Sequence, residues 1–258
     1  MSKANFDDLS ECTVDSVLDL NNIDIVIRNA RILTMDMEQN ILSNGTIAIN
    51  EGLIIWIGSD SDFVYSGKIN RNIDAHSAVV HPGFIDTHVH LIYHTIRRFH
   101  DDCLSFEQAM SFHGGYLSIA DDKLEHAGTR LACLEMARNG TTCFLEANVI
   151  STEGAVSAIR EVGLRAMIGD PVIKDIVSPG ERFGSISISK KRSYEIIGNN
   201  VQRYSDPNGL VHGVVTLSGM GSASDELLLK AKEIADRHGV ILNMHQSYSE
   251  SDTKADDK

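Results

Sequence analysis

The chain has 258 residues, 42% hydrophobic and 23% charged, ordinary values for a globular protein with room for one large core or a core and a half. Its 36 acidic residues against 23 basic ones leave a net charge of −13, and such a surface repels nucleic-acid phosphates and anionic lipid. The four cysteines show no paired spacing, the first residues hold no signal-like apolar stretch and no run is long enough to span a bilayer, so the expectation is a cytoplasmic chain with neither nucleic-acid nor membrane partners.

Residues 1–22 are polar and acidic and read as a loose arm. Short β-like runs follow at 24–28, 31–34, 46–49 and 53–57, with Asn50-Glu51-Gly52 as a hairpin turn whose glycine supplies a positive φ. These runs assign residues 23–78 to a small β domain. After His90 the rhythm becomes helix, glycine, strand. Asp122 with Glu125 three residues on marks a helix start, Gly140 a stop, and Thr141–Leu145 a strand. A second helix spans Ser151–Val162, stops at Gly163 and leads into strand Leu164–Ile168. A third helical stretch covers Ser189–Tyr204, and Leu210–Leu217 reads as a buried strand. Ser222 or Ser224 caps a fourth helix that ends at His238 before Gly239, followed by strand Val240–His245. Alternating strands and helices imply a parallel sheet, so residues 79–258 are expected to be α/β with about five βα units. A closed (β/α)8 barrel needs eight.

The chemistry starts at His81-Pro-Gly-Phe-Ile-Asp-Thr-His-Val-His90. Side chains two apart on a strand share a face, so Asp86, His88 and His90 line one edge near its end, half of a divalent metal site. A lone His-x-His occurs by chance in many proteins that bind no metal. His245 closes an apolar strand, where barrel enzymes carry catalytic groups; taken alone it reads as a surface or capping histidine. Three neutral imidazoles suit zinc, or iron in an adapted site.

The decapeptide resembles the signature of the amidohydrolase superfamily, nearest its cytosine, guanine and S-adenosylhomocysteine deaminases and triazine chlorohydrolases. Leu242-Asn-Met-His-Gln-Ser247 resembles the fifth-strand motif of the same family. The resemblance implies an incomplete TIM-type (β/α)8 barrel preceded by part of a small β-sandwich. It implies one Zn2+ (or Fe2+) per chain on His88, His90 and His245, with Asp86 orienting an imidazole. The implied reaction is attack by metal-activated water on a small-molecule heterocyclic amine, a non-peptide C–N bond hydrolysis. The segment Leu210–Met220 contains no lysine for a second metal, which favours a mononuclear site.

The departures are specific. The family's later histidine and aspartate, after its sixth and eighth strands, have no counterpart before Lys258. Its proton-shuttle glutamate, three residues after the fifth-strand histidine, is Tyr248 here; Glu250 in a shifted loop, or Gln246 orienting substrate by its amide, are the candidates left. His94, His100 and His113 fall where relatives shape the substrate pocket, with His113 the candidate contact and a solvated loop position the plainer reading. His212 reads as a core residue, His126 and His238 as helix residues, and Arg97 with Arg98 as a solvated pair. The resemblance covers Asp24–Ser247. The expectation is therefore an amidohydrolase-type enzyme in truncated or split form, partnered by a homo-oligomer or a complementing C-terminal fragment; a non-catalytic remnant is the alternative.

Overall fold

The structure is a computed structural model that describes residues 21–99, 103–147, 149–183, 186–247 and Thr253. The chain divides after Pro82 into two compact units. In the first, β1 (Asn22–Leu33), β2 (Ile41–Asn50) and β3 (Leu53–Ser59) form an antiparallel meander, while β4 (Lys68–Asp74) and β5 (Val79–Val80) pair in parallel along the other side of β1. The two runs expected at 24–28 and 31–34 are one strand. Its register with β2 shifts between Ile27 and Ile32, where Asn29 adopts φ 52°, a left-handed conformation that asparagine tolerates. The turn after Asn50 has both central residues at positive φ, Glu51 at 51° and Gly52 at 78°, the twist that suits a two-residue hairpin. β4 was not legible because only Ile69 and Ile73 in it are apolar aliphatic residues. Ile23, Val26, Ala48, Trp56 and Phe63 make one core cluster, with the Trp56 and Phe63 rings 5.0 Å apart, and Ala30, Ile32 and Ile47 make a second.

The second unit is a mixed α/β fold around parallel strands. β6 (Phe84–Val89), β7 (Thr141–Glu146), β8 (Arg165–Ile168) and β11 (Val211–Gly213) lie side by side in chain order. One residue after β11, β12 (Val215–Leu217) pairs in parallel with β13 (Leu242–Met244). The strand expected over Leu210–Leu217 therefore changes neighbours midway: Val214 N–H donates to Ile168 O at 3.1 Å and Val215 N–H to Ile241 O at 3.1 Å. The break falls beside Gly213, where a Cβ would stand 1.9 Å from the carbonyl oxygen of Asn200. The five successive strand positions run from β6 at one side to β13 at the other.

Helices connect these strands: α1 (Phe106–Ser118), α2 (Asp122–Arg138), α3 (Thr152–Val162), α4 (Lys190–Ile196), α5 (Asn199–Arg203) and α6 (Asp225–His238). β9 (Arg182–Phe183) and β10 (Ile186–Ser187) form a small antiparallel pair before α4. α1 escaped the sequence reading, having two consecutive glycines and a polar start, yet Ser105 and Gln108 form a reciprocal capping box at its first turn. α2 is capped by Asp121, whose side chain accepts the Leu124 N–H at 2.9 Å, so Glu125 is not the capping-box partner of Asp122. Glu125 instead accepts the N–H groups of Ile150 and Ser151 ahead of α3. The helix expected over 189–204 is two helices, separated at Gly198, which takes φ 88°. Caps Ser151 and Ser224 and stops Gly163 (φ 86°) and Gly239 (φ 64°) stand where expected. Phe144, Ala166, Ile168, Ala155 and Ile159 share one core cluster, and Val215, Leu217, Leu227 and Ala231 another. No helix among the described residues is long and apolar enough to cross a membrane.

Candidate metal centre

His88 sits near the end of β6 and His90 one residue beyond it, so the strand's two-residue period turns both rings to one side. His245 directly follows β13, at the far side of the strand series. The three rings nonetheless meet. His245 Nε2 lies 2.9 Å from His90 Nε2 and 3.2 Å from His88 Nε2, and one nitrogen from each residue lies within 4.8 Å of the others. Strands that share no hydrogen bond reach each other only because the sheet curls until its first and last strand ends converge.

The orientation of the rings decides what such a cluster can do. His245 Nδ1 stands 2.6 Å from the Ser218 carbonyl oxygen, which only accepts, so Nδ1 carries a proton and in the neutral ring Nε2 is the nitrogen with the lone pair. The same turn holds the main chain, Met220 N–H donating to His245 O at 3.0 Å. Burial is the first cause holding His90 neutral, helped by the neighbouring His245, His88 and His113; its pKa is pushed down to about 3. The same two causes, burial and then His245, lower His88, while Asn243 beside it works in the opposite direction. Neutral imidazoles with lone pairs converging on one point repel one another unless a cation stands between them. The donor set of three nitrogens therefore fits zinc or ferrous iron, with coordination positions left for water.

The other sequence candidates scatter around this point. The Asp86 carboxylate accepts the backbone N–H of His88 at 3.2 Å, so it bonds the main chain of the motif. One acid beside a ligand ring is Glu146 at the end of β7, 99% buried, with Oε1 3.8 Å from His90 Nδ1. His113 on α1 stacks on Tyr93 at 4.5 Å between ring centres, and Tyr93 meets His90 edge-on at 5.8 Å, placing His113 one ring away from the cluster. Gln246 is exposed next to His245. Tyr248, Glu250 and His100 lie outside the described residues. His94 turns its Nδ1 to the Leu91 carbonyl at 3.2 Å. His126 pairs with Glu161 on the surface, and Arg97 with Glu135.

Residues 79–257 match the model of the Amidohydrolase family. The chain belongs to the amidohydrolase family. This amidohydrolase is 29% identical over 236 residues to a 5'-deoxyadenosine deaminase of Methanosarcina barkeri, covering 90% of this chain and 51% of the relative. It is 28% identical over 230 residues to a 5-methylthioadenosine/S-adenosylhomocysteine deaminase of Thermodesulfovibrio yellowstonii, covering 86% of this chain and 49% of that one. Among solved structures, an adenosine deaminase from Xanthomonas campestris with bound zinc superposes with TM-score 0.75 at 20% identity, over 90% of this chain and 51% of the other. An atrazine chlorohydrolase from Arthrobacter aurescens, complexed with zinc and atraton, gives TM-score 0.73 at 19% identity, over 90% and 55%. The chain thus spans about half the length of the curated relatives it matches.

Three residues of this amidohydrolase site escaped the sequence reading. Ser218 contributes only a backbone carbonyl, for which no side-chain signal exists. Tyr93 sits in the 3-10 turn after His90, one aromatic among several. Glu146 did carry a signal: it is the one acidic residue closing the apolar strand Thr141–Glu146, at the carboxyl end where barrel enzymes place functional groups.

Proposed function

We propose that this chain carries the metal-binding half of a hydrolase that deaminates a heterocyclic amine, with His88, His90 and His245 holding one zinc or ferrous ion at the mouth of an incomplete (β/α)8 barrel. The observation that carries this reading is the convergence of three imidazole nitrogens from the first and fifth strands, one of them oriented by the Ser218 carbonyl. When bound, the metal lowers the pKa of a coordinated water so that hydroxide is available near neutral pH. The chain's own residues do the rest. Ser218 and Met220 pin His245, burial keeps His90 unprotonated, and Asp86 holds the backbone N–H of His88. His113, stacked on Tyr93, offers a ring face and a nitrogen to a planar substrate. The Tyr93 phenol, whose pKa burial pushes up to about 12, stays protonated. At the carboxyl end of the fifth strand the candidates are Gln246, orienting substrate by its amide, or Glu250, moving the proton from a shifted loop.

The names of the relatives favour an aminopurine nucleoside as substrate. Because the chain spans about half their length, full turnover is assigned to these residues together with the strands that the other half of the relatives carries. A non-catalytic remnant is the second reading, and Tyr248 at the position where the resemblance puts a proton-shuttle glutamate is what favours it. Both are tested by supplying zinc or ferrous iron and a panel of aminopurine nucleosides, aminopyrimidines and aminotriazines to the chain alone and with the C-terminal half of a relative. Metal-dependent ammonia release on adding that half supports the enzyme. Stoichiometric zinc binding with no release in any combination supports the remnant. Absence of zinc binding by the wild-type chain overturns the metal centre itself.

A further inference from the structure

We infer that Glu146 is a positioning residue of the metal centre: it holds His90 in the tautomer whose Nε2 faces His245 and His88. This rests on the metal reading above for its purpose, but its geometry stands apart from it. Glu146 ends β7, the strand beside β6, and Val89, which separates His88 from His90, is its register partner. Its side chain is 1% exposed. One carboxylate oxygen is fixed by the backbone, Oε2 accepting the Leu91 N–H at 2.8 Å immediately after His90. The main chains are tied at the same level by Ala147 N–H to Val89 O at 3.0 Å. The other oxygen, Oε1, is thereby aimed at His90 Nδ1 from 3.8 Å.

At 3.8 Å this contact is electrostatic, longer than a hydrogen bond. In a dry setting it still selects between tautomers. A proton on Nδ1 puts the positive end of an N–H dipole toward the carboxylate, whereas a proton on Nε2 puts a lone pair there. The favoured tautomer leaves the Nε2 lone pair directed at the point shared with His245, 2.9 Å away. His245 is fixed in the same sense by the Ser218 carbonyl. Two ligands thus have their far nitrogens assigned from outside the cluster, one by a main-chain oxygen and one by a carboxylate. Glu125 offers the contrast: it is also 99% buried and also accepts backbone N–H groups, but they belong to Ile150 and Ser151 at the start of α3, and its remaining partner is Thr129.

The experiment compares the full wild-type chain with Glu146→Gln and Glu125→Gln. Glutamine keeps the shape and an oxygen for the Leu91 N–H, so Glu146→Gln is expected to keep the fold, checked by circular dichroism and thermal melting. Long-range 1H–15N correlation of the His90 ring in metal-free protein reads the tautomer, and zinc titration against a chromophoric chelator reads affinity. Glu146→Gln is expected to raise the share of the Nε2–H form of His90 in metal-free protein and to weaken zinc about 10–100-fold, the usual scale for losing such an outer partner. Glu125→Gln is expected to lower the melting temperature and leave both readouts unchanged. If Glu146→Gln unfolds, Glu146→Asp, which withdraws the carboxylate while retaining its charge, replaces it with the same expected direction. An unchanged His90 tautomer in the folded variant overturns the inference, as does an equal loss of zinc affinity in Glu125→Gln. If the wild-type chain binds no zinc, the metal reading fails, while the metal-free tautomer measurement still decides the role of Glu146.

Discussion

The carboxyl ends of the parallel strands hold polar groups of two kinds, and the protein satisfies them in opposite ways. Beyond β8, Asp170 is 2% exposed, and its two oxygens accept the N–H groups of Gly198 at 2.6 Å and Asn200 at 2.8 Å. Asn200 in turn donates its side-chain amide to Gly169 O at 2.8 Å and Thr152 Oγ1 at 3.1 Å. Every one of these bonds pairs a donor with an acceptor, and together they seat the start of α5 on the sheet. Beyond β6 and β13 the arrangement is reversed: three ring nitrogens face one another, and His245, with its Nδ1 turned to the Ser218 carbonyl, has a single Nε2 to offer two neighbours. A buried polar group that finds a complementary partner stabilises the fold. A cluster that finds only its own kind costs stability unless something positively charged joins it, and that incompleteness marks the site.

The largest expected effect that tests this contrast is on metal binding. Replacing His88 or His245 with alanine should take zinc from one per chain to near zero by elemental analysis after gel filtration, while His126→Ala, on a surface pair with Glu161, should leave it unchanged. Equal losses at all three positions would show adventitious binding and dissolve the comparison. The metal-free chains should show the opposite ranking in stability. Asp170→Ala leaves two buried N–H groups without their acceptor and is expected to cost about 2–4 kcal/mol in urea unfolding, whereas His88→Ala should cost less than about 1 kcal/mol. A His88→Ala chain as damaged as Asp170→Ala would mean that the imidazoles are structural.

A pH titration sharpens the same point. Burial, the largest influence on Asp170, pushes its pKa up to about 6 from an ordinary 3.8, against the backbone N–H groups that pull it down. The native state therefore binds this proton more tightly than the unfolded chain does. The stabilisation from protonating Asp170 is full below about pH 4 and is lost as pH rises through about 6, a difference of up to about 3 kcal/mol. Asp170→Asn cannot titrate, so the stability gap between wild type and this variant should change between pH 4 and 7, with wild type losing ground as pH rises. A gap independent of pH would show that Asp170 ionises as it does in the unfolded chain. The smallest effect belongs to a cap. Ser151 accepts the Gly154 N–H at 3.1 Å, and Ser151→Ala should cost about 1 kcal/mol without altering zinc affinity.

Much of the framework was legible because it rests on local chemistry. Serine at 151 and 224 satisfies the first N–H groups of a helix wherever that helix packs, and glycine at 163 and 239 reaches positive φ at no steric cost. The hairpin at Glu51-Gly52 is local in the same way. The errors have non-local causes. The helix expected over 189–204 breaks at Gly198 because a carboxylate 28 residues earlier accepts its N–H. The Leu210–Leu217 strand divides because α5 presses on Gly213 and the second half has a different neighbour to bond. α1 and β4 lacked an apolar period strong enough to announce them.

By itself the sequence determined the α/β rhythm of the second unit, the His88–His90 pair on one strand face and His245 at the end of a later strand, since strand period and apolar patterning act over a few residues. Its decapeptide pointed to the family that the match over residues 79–257 establishes. Only the tertiary structure decided that His245 and His90 stand 2.9 Å apart, because that distance depends on the accumulated curl of five strands. It also decided which partners orient the rings. The Ser218 carbonyl is a main-chain atom, and Glu146 reaches His90 through the register of β7 on β6, a pairing between residues more than fifty apart that no short-range pattern records.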